Sequence, residues 1–357
     1  MKRSFLYLLV LTMTALAIVF LVPGDGPSEK SVVDSFLIPG VADQINDVSR
    51  VEIVTAGNNA VATLVRNEGQ WRVEQMSGYR ADWSKLQALL AALAQARVIE
   101  PKTDKPEYYG RLGVEDVTTE NAGSVLVRFS IGDQTTGVLI GNQAQGRQGQ
   151  YVRLQDKPGS ALVDREFDVP RQMIDWAESS IIDINSSEVA EVEIIHPSSE
   201  RVLVMRISAD QTDFDLAGFL PPDREIKSSW AVNSLGSVFT MLNMETVRPA
   251  SSIDWTDAVK MRVLSFSGME VLADLVTEGD EYLIRVHASH PAASVVQDDS
   301  EGSVIQTEIE KQAQDDVAGK VDGLNQKVDG WAYGISKQKF EAMVKKPEDL
   351  LKPVESV

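Results

Sequence analysis

Val51-Glu52-Ile53-Val54-Thr55-Ala56-Gly57-Asn58-Asn59-Ala60-Val61-Ala62-Thr63-Leu64-Val65-Arg66-Asn67-Glu68-Gly69-Gln70-Trp71-Arg72-Val73-Glu74 decides the fold class. Val51-Glu52-Ile53 opens an alternating segment, Ala60 to Arg66 a second and Gln70 to Glu74 a third. Gly57-Asn58-Asn59 and Glu68-Gly69 supply turn chemistry between them. Period-two apolar patterning bounded by such residues predicts three short strands joined by tight turns. Strands in runs imply an antiparallel sheet, so the reading is α+β; a doubly wound sheet would alternate strand and helix.

Outward from this stretch, Asp82 is a good N-cap, and Leu86, Leu89, Leu90 and Leu93 form a helical stripe. More strands follow at Val125 to Ile131, Gly137 to Ile140 and Gln150 to Leu154. An amphipathic segment, Val169 to Ile184 with Met173, Ile174 and Trp176, closes this half.

The chain then repeats the pattern. Val192-Glu193-Ile194 echoes Val51-Glu52-Ile53, and Arg201 to Ile207 follows. Ser228 or Ser229 can cap a second helix carrying Val232, Leu235, Phe239 and Leu242. Trp83 and Trp230 each stand at the start of their half's helix. Arg97-Val98-Ile99-Glu100-Pro101 corresponds to Glu245-Thr246-Val247-Arg248-Pro249, and each proline explains a helix stop. Lys260 to Ser265, Glu270 to Leu275 and Glu281 to Val286 form the second strand set. Ser336 to Leu351, with Phe340, Met343 and Val344, closes it. The expectation is two tandem α+β repeats, residues 36–185 and 186–357, with amphipathic helices on one face of each sheet. The alternative is two α+β domains that share a generic pattern.

Before the repeats, Lys2 and Arg3 precede an uncharged run from Ser4 to Val22. A helix of this length spans about 28 Å, close to the roughly 30 Å of bilayer hydrocarbon. Positive charge before it and Asp25 and Glu29 after it put the N-terminus in the cytoplasm. The only A-x-A, Ala15-Leu16-Ala17, lies inside the run, which favours an uncleaved signal anchor over a cleaved signal peptide. Residues 1–22 are therefore read as a single transmembrane helix and 23–35 as a linker. The bulk of the chain is then extracytoplasmic, in the periplasm of a Gram-negative cell, on an inner (cytoplasmic) membrane protein.

The second repeat carries an insert at about 289–329. Asp298 to Asp329 holds nine acidic residues and three lysines, and no aromatic residue separates Tyr282 from Trp331. That composition predicts a flexible loop, with room for a short helix around Ser303 to Gln314.

Composition excludes several chemistries. The chain of 357 residues has 53 acidic and 34 basic side chains, a net charge of −19, and no cysteine. Absence of cysteine removes disulfides, thiolate metal sites, a thiol nucleophile and a lipidated cysteine anchor. The acidic balance argues against nucleic acid as a partner. The histidines are His196, His287 and His290. His287-Ala288-Ser289-His290 has H-x-x-H spacing but lacks the helix and glutamate of a zinc protease. Gly141 to Gly149 is glycine-rich, yet it joins two strands and reads as a hairpin loop. Glu115-Asp116 and Asp298-Asp299 are adjacent acids in loops. Hydrolysis of a glycoside needs two carboxyls set across a sugar, which adjacency does not supply. Trp71, Trp83, Trp176, Trp230, Trp255 and Trp331 are spread over both halves. Trp71 reads as core, and a sugar-stacking face is the sharper alternative for the set. No catalytic, cofactor-binding or metal-binding residue is assigned.

Phe36 to Asp47, Val51-Glu52-Ile53, Trp71-Arg72-Val73, Arg97 to Thr103, Tyr109 to Val114, Gly149 to Arg153 and Trp176 to Ile184 resemble the bacterial family labelled domain of unknown function 4340. The resemblance is good over 36–185 and weaker over 186–357. It implies a membrane-anchored protein, often encoded beside gliding-motility-type ABC transporter genes and their auxiliary subunits. It carries over no catalytic residue. The expected function is a non-enzymatic, membrane-anchored accessory or binding protein associated with an ABC-type transport system. The alternative is a cell-wall or polysaccharide-binding module, and the third reading is a carboxylate-based hydrolase.

Overall fold

A computed structural model describes residues 34–218, 221–290 and 304–354. The expected anchor at 1–22, nearly all of the linker, and Asp298-Asp299 lie outside the described residues. No helix among the described residues is long and apolar enough to cross a membrane.

The quoted stretch forms β1 (Val48–Thr55), β2 (Asn59–Asn67) and β3 (Gln70–Val73), followed by β4 (Tyr79–Arg80). At the β2–β3 turn, Glu68 and Gly69 have φ of 49° and 81°, the left-handed pair that a two-residue hairpin requires. Next come α1 (Trp83–Gln95) and β5 (Val98–Pro101). Asp82 caps α1 as expected, its Oδ1 accepting from the Lys85 N–H at 3.2 Å and the Ser84 hydroxyl at 2.6 Å. Leu86, Leu89, Leu90 and Leu93 are all buried. β6 (Val125–Ile131), β7 (Gln134–Gln143), β8 (Gln150–Leu154) and β9 (Ser160–Val163) complete a nine-stranded sheet of order β4-β3-β2-β1-β6-β7-β8-β9-β5.

The later chain opens with β10 (Ser180–Ile182), β11 (Val189–Ile195), β12 (Arg201–Met205), β13 (Asp215–Leu216) and β14 (Arg224–Ile226). After α2 (Ser229–Asn233) come β15 (Leu242–Asn243), β16 (Thr246–Pro249), β17 (Val259–Ser265), β18 (Glu270–Glu278) and β19 (Glu281–Ser289). The chain ends with α3 (Val304–Val328), β20 (Trp331–Gly334), α4 (Lys337–Met343), α5 (Pro347–Leu350) and β21 (Leu351–Pro353). Eight of these strands form a sheet of order β13-β12-β11-β17-β18-β19-β20-β16, and β10–β15 and β14–β21 are separate antiparallel pairs. The protein is thus α+β, with mostly antiparallel sheets and several helices. With β4 set aside, both large sheets use their strands in the same permutation: third, second, first, fifth, sixth, seventh, eighth, fourth.

By contacts the chain divides into two compact units. Among the described residues, one comprises 34–48, 54–59 and 88–169; the other comprises 49–53, 60–87 and the described residues from 170 onward. Neither follows the contiguous ranges 36–185 and 186–357. Tyr79 shows one reason: within the second unit its ring stands edge-on to Trp331 at 5.0 Å and to Tyr333 at 6.0 Å. Aromatic burial between distant segments overrides sequence proximity.

Four local expectations are revised. α1 ends at Gln95, ahead of Pro101, and Pro101 and Pro249 instead terminate β5 and β16. Both strands are at sheet edges, where a missing N–H is tolerated. The second helix is short, continuing as a 3₁₀ turn over Ser234–Ser237, although Val232, Leu235, Phe239 and Leu242 are all buried. Val169 to Ile184 forms a 3₁₀ turn at Met173–Trp176 and β10 in place of a helix. Trp176 is fully buried there, its Nε1 donating to the Pro170 carbonyl at 3.0 Å. Finally, the acidic insert contains the 25-residue α3 where a loop with at most a short helix was expected. Val317, Val321 and Val328 of α3 are buried on one face. Few apolar residues suffice when they recur at helical spacing.

Candidate functional site

The site lies within the second unit, on the outward face of the eight-stranded sheet. Alternation along each strand sends Val192 and Ile194, Met261 and Val263, Val271 and Leu275, and Ile284 and Val286 to the buried side. The intervening residues form the other face, and their charges alternate by strand. β11 presents Glu191 and Glu193, β17 Lys260 and Arg262, β18 Glu270 and Asp274, and β19 Arg285 and His287. Register places Glu193 opposite Arg262, Arg262 opposite Leu272, and Leu272 opposite His287. The adjacent row runs Ile195, Lys260, Asp274, Arg285.

Arg262 is the hub of this lattice. Its Nε donates to Glu270 Oε1 at 2.6 Å, Nη1 donates to Glu191, and Glu193 lies at 3.7 Å. The Glu270 hydrogen bond, partly opposed by burial and reinforced by Glu191, holds the guanidinium proton more tightly than usual. For Glu270, burial alone would raise the pKa; hydrogen bonds from Arg262 and the Ser289 hydroxyl outweigh it and lower it below the ordinary value of 4.5. Arg285 binds Asp274 Oδ2 through both Nε, at 2.8 Å, and Nη2, at 2.7 Å, and its guanidinium lies 4.7 Å from the Trp255 ring centre. Such half-exposed cross-strand pairs contribute about 0.2–1 kcal/mol each.

A groove of about 650 Å³ is set into this face, floored by β11, β17, β18 and β19 and walled by Val328 to Trp331. That volume falls in the range of roughly 300–1,000 Å³ typical of small-molecule sites. Its shape has a topological origin. β20 pairs with β19 at Leu283–Gly334 and Ile284–Tyr333, and the pairing stops there. Beyond it, the groove is bounded by Arg285, Val286 and His287 on one side and by Asp329, Gly330 and Trp331 on the other. His287 Nδ1 and Asp329 Oδ1 are 2.9 Å apart across this boundary. Exposed apolar side chains, Ile195 and Leu272, flank the charged rows.

The residues singled out by sequence fall elsewhere, His287 and Trp331 excepted. His290 meets the Gly268 carbonyl at 3.0 Å, and buried His196 meets the Lys345 carbonyl at 3.3 Å. His287 is on β19 and His290 follows its last residue; a spacing of three along extended backbone sends side chains to opposite faces. Among the described residues no cluster of three or more potential ligands could hold a metal. Gly141 to Gly149 ends β7 and turns into β8, with the Ala144 N–H donating to the Gly149 carbonyl at 2.9 Å. Asp116 faces buried Arg153 at 3.0 Å, whereas the Glu115 main-chain carbonyl accepts from Ser124. Trp71 and Trp176 are core, Trp255 and Trp331 are partly buried, and Trp83 and Trp230 are 51% and 76% exposed.

Sequence reading missed the lattice itself. Its signal was present: acidic outer positions on β11 and β18, and basic ones on β17 and β19. Recognising it required the neighbour relation between β11 and β17, which are separated by the whole of β12 to β16.

The chain is an α+β protein with a charged, open groove on its eight-stranded sheet. It belongs to the family described as Domain of unknown function (DUF4340), whose model matches residues 71–258, more than half of the chain. The matched range extends past 185 into the second half. No curated protein and no solved structure matches the chain.

Proposed function

We propose that this protein is a non-enzymatic accessory or binding protein, held at the inner membrane by residues 1–22 and facing the periplasm, where it serves an ABC-type transport system. The observation that carries the binding role is the lattice around the groove. Glu193, Asp274 and Asp329 are each engaged by a neighbouring cation or histidine, an arrangement suited to holding a ligand or partner. The anchor rests on the uncharged run from Ser4 to Val22 behind Lys2 and Arg3. The shared strand permutation supports an origin of the two sheets in tandem duplication.

Affinity copurification of the full chain from mildly solubilised membranes at native expression is expected to retrieve transporter subunits. Retrieval of none overturns the transport association. Protease treatment of spheroplasts is expected to digest the bulk of the chain, and full protection overturns the periplasmic placement.

A second reading has its own observation. Trp83 and Trp230 are both exposed at the start of a helix, where aromatic rings can stack on sugars. This cell-wall or polysaccharide-binding alternative predicts retention on glycan beads that is lost in a Trp83→Ala, Trp230→Ala double variant.

A further inference from the structure

The charges in the groove leave one valence open. Asp274 is bound by Arg285, Glu193 lies against Arg201 and Arg262, and Asp329 meets His287. Arg262 is surrounded by three carboxylates. Lys260 is the exception. It lies exposed on the groove floor, and its register partners are Ile195 and Asp274, yet Asp274 is taken by Arg285. Among the described residues its ammonium has neither ion pair nor hydrogen bond. A cationic ligand entering here meets carboxylates that already hold a cation or histidine and is repelled by Lys260, whereas an anionic one pairs directly with Lys260. Ile195, 40% exposed, is the register partner of Lys260; Leu272, 41% exposed, lines the same groove from the adjacent row, and Trp331 lies on the wall. Apolar surface beside a single open charge is complementary to a molecule with one anionic end and an apolar body.

We propose that the groove is a binding site for small organic monocarboxylates, with Lys260 receiving the carboxylate and Ile195, Leu272 and Trp331 the apolar body. This deepens the binding role proposed above and does not depend on the transport partner. Failure of copurification therefore leaves it standing, and its own failure leaves the partner question open.

The test is methyl-detected NMR of the full chain in lipid nanodiscs, titrated with benzoate, benzyl alcohol and benzylamine at neutral pH. Benzoate is expected to shift the Ile195 and Leu272 methyls saturably. Benzyl alcohol should bind about tenfold more weakly or worse, as expected for loss of a charge-assisted contact, and benzylamine should not saturate. Lys260→Met should weaken benzoate by a similar factor of about ten, and Lys260→Arg should retain it. The proposal is overturned if benzoate gives no saturable shift, if benzylamine binds as well as benzoate, or if Lys260→Met binds benzoate like the parent. Should Lys260→Met fail to fold, the three-ligand comparison on the parent chain decides alone.

Discussion

The side-chain amide of Asn325 on α3 pairs with the backbone of Ala288 on β19, accepting its N–H and donating to its carbonyl, each at 2.8 Å. β20 pairs with β19 only as far as Ile284, so Ala288 lies on a stretch that β20 leaves uncovered. An amide has one acceptor and one donor end, the same pair that a neighbouring strand would offer. Asn325 thus completes the sheet locally and ties α3 to it. Replacing it with Ala should cost about 1–3 kcal/mol through two unpaired backbone groups. Urea denaturation should show the loss, and hydrogen exchange should accelerate at the Ala288 amide. Asn325→Asp offers two acceptors and no donor when ionised, so it should be similarly harmful at pH 7. Its deficit should shrink in acid, where the carboxyl regains a proton to donate.

Arg206 offers a second test. It is buried, with Phe214 and Phe266 ring centres 4.4 Å and 5.4 Å from its guanidinium. It donates to the carbonyls of Ser186 at 2.6 Å, Gln211 at 3.0 Å and Val189. Burial pushes its pKa below the ordinary arginine value. Arg206→Met should destabilise the second unit by about 3 kcal/mol, because the buried Val189 carbonyl and the part-buried Ser186 and Gln211 carbonyls lose a charged donor together. Arg206→Lys should recover little of this, since one ammonium does not span the same carbonyls. Paired thermal and denaturant unfolding curves check both variants.

In the first unit, Gly149 has φ of 117°, and a Cβ added there would stand 2.2 Å from the Val163 carbonyl oxygen. Both strain and overlap oppose any side chain. Gly149→Ala should therefore cost about 1–3 kcal/mol or more. Gly146, on the same loop, also has positive φ but open space around the Cβ position, so its alanine variant should cost less. The difference between the two variants in urea midpoint is the measurement.

Acid should weaken the sheet lattice in a defined direction. Glu270 has its pKa lowered in the folded chain: burial opposes the shift, and Arg262 and Ser289 together overcome it. A depressed carboxyl pKa means that the unfolded chain binds protons first on acidification. The stabilisation is complete above the unfolded value near 4.5 and is lost as pH falls through the folded value. Asp82 behaves alike, with Ser84 and Lys85 outweighing its burial and an unfolded value near 3.8. Glu270→Gln should flatten the slope of stability against pH below about 4.5 while costing stability at pH 7. Unchanged slopes would show that the Arg262 pairing is not the source.

How much was legible depends on the range over which each feature is encoded. The β1–β3 meander and the Leu86–Leu93 stripe of α1 lie within a few turns of chain, and period and cap chemistry suffice to locate them. α3 was legible in principle from Val317, Val321 and Val328 at multiples of the helical spacing. Its acidic, aromatic-free composition obscured that pattern, because composition averages over a helix that buries only one face. The charge lattice lay beyond a linear reading, since Glu193 and Arg262 become neighbours only when β17 pairs with β11.

By itself, the sequence determined the α+β class, the positions of most strands, the N-cap at Asp82, the absence of any cysteine chemistry, and the apolar run at Ser4 to Val22. These follow from local backbone preference and from residue type. Tertiary structure alone decided which strands are neighbours, where β20 parts from β19, that Asn325 takes up the vacated edge, and that Lys260 has no counter-ion among the described residues. Those outcomes depend on contacts between residues dozens of positions apart. They are settled by which packing buries the apolar faces and pairs the backbone, a property of the folded chain as a whole.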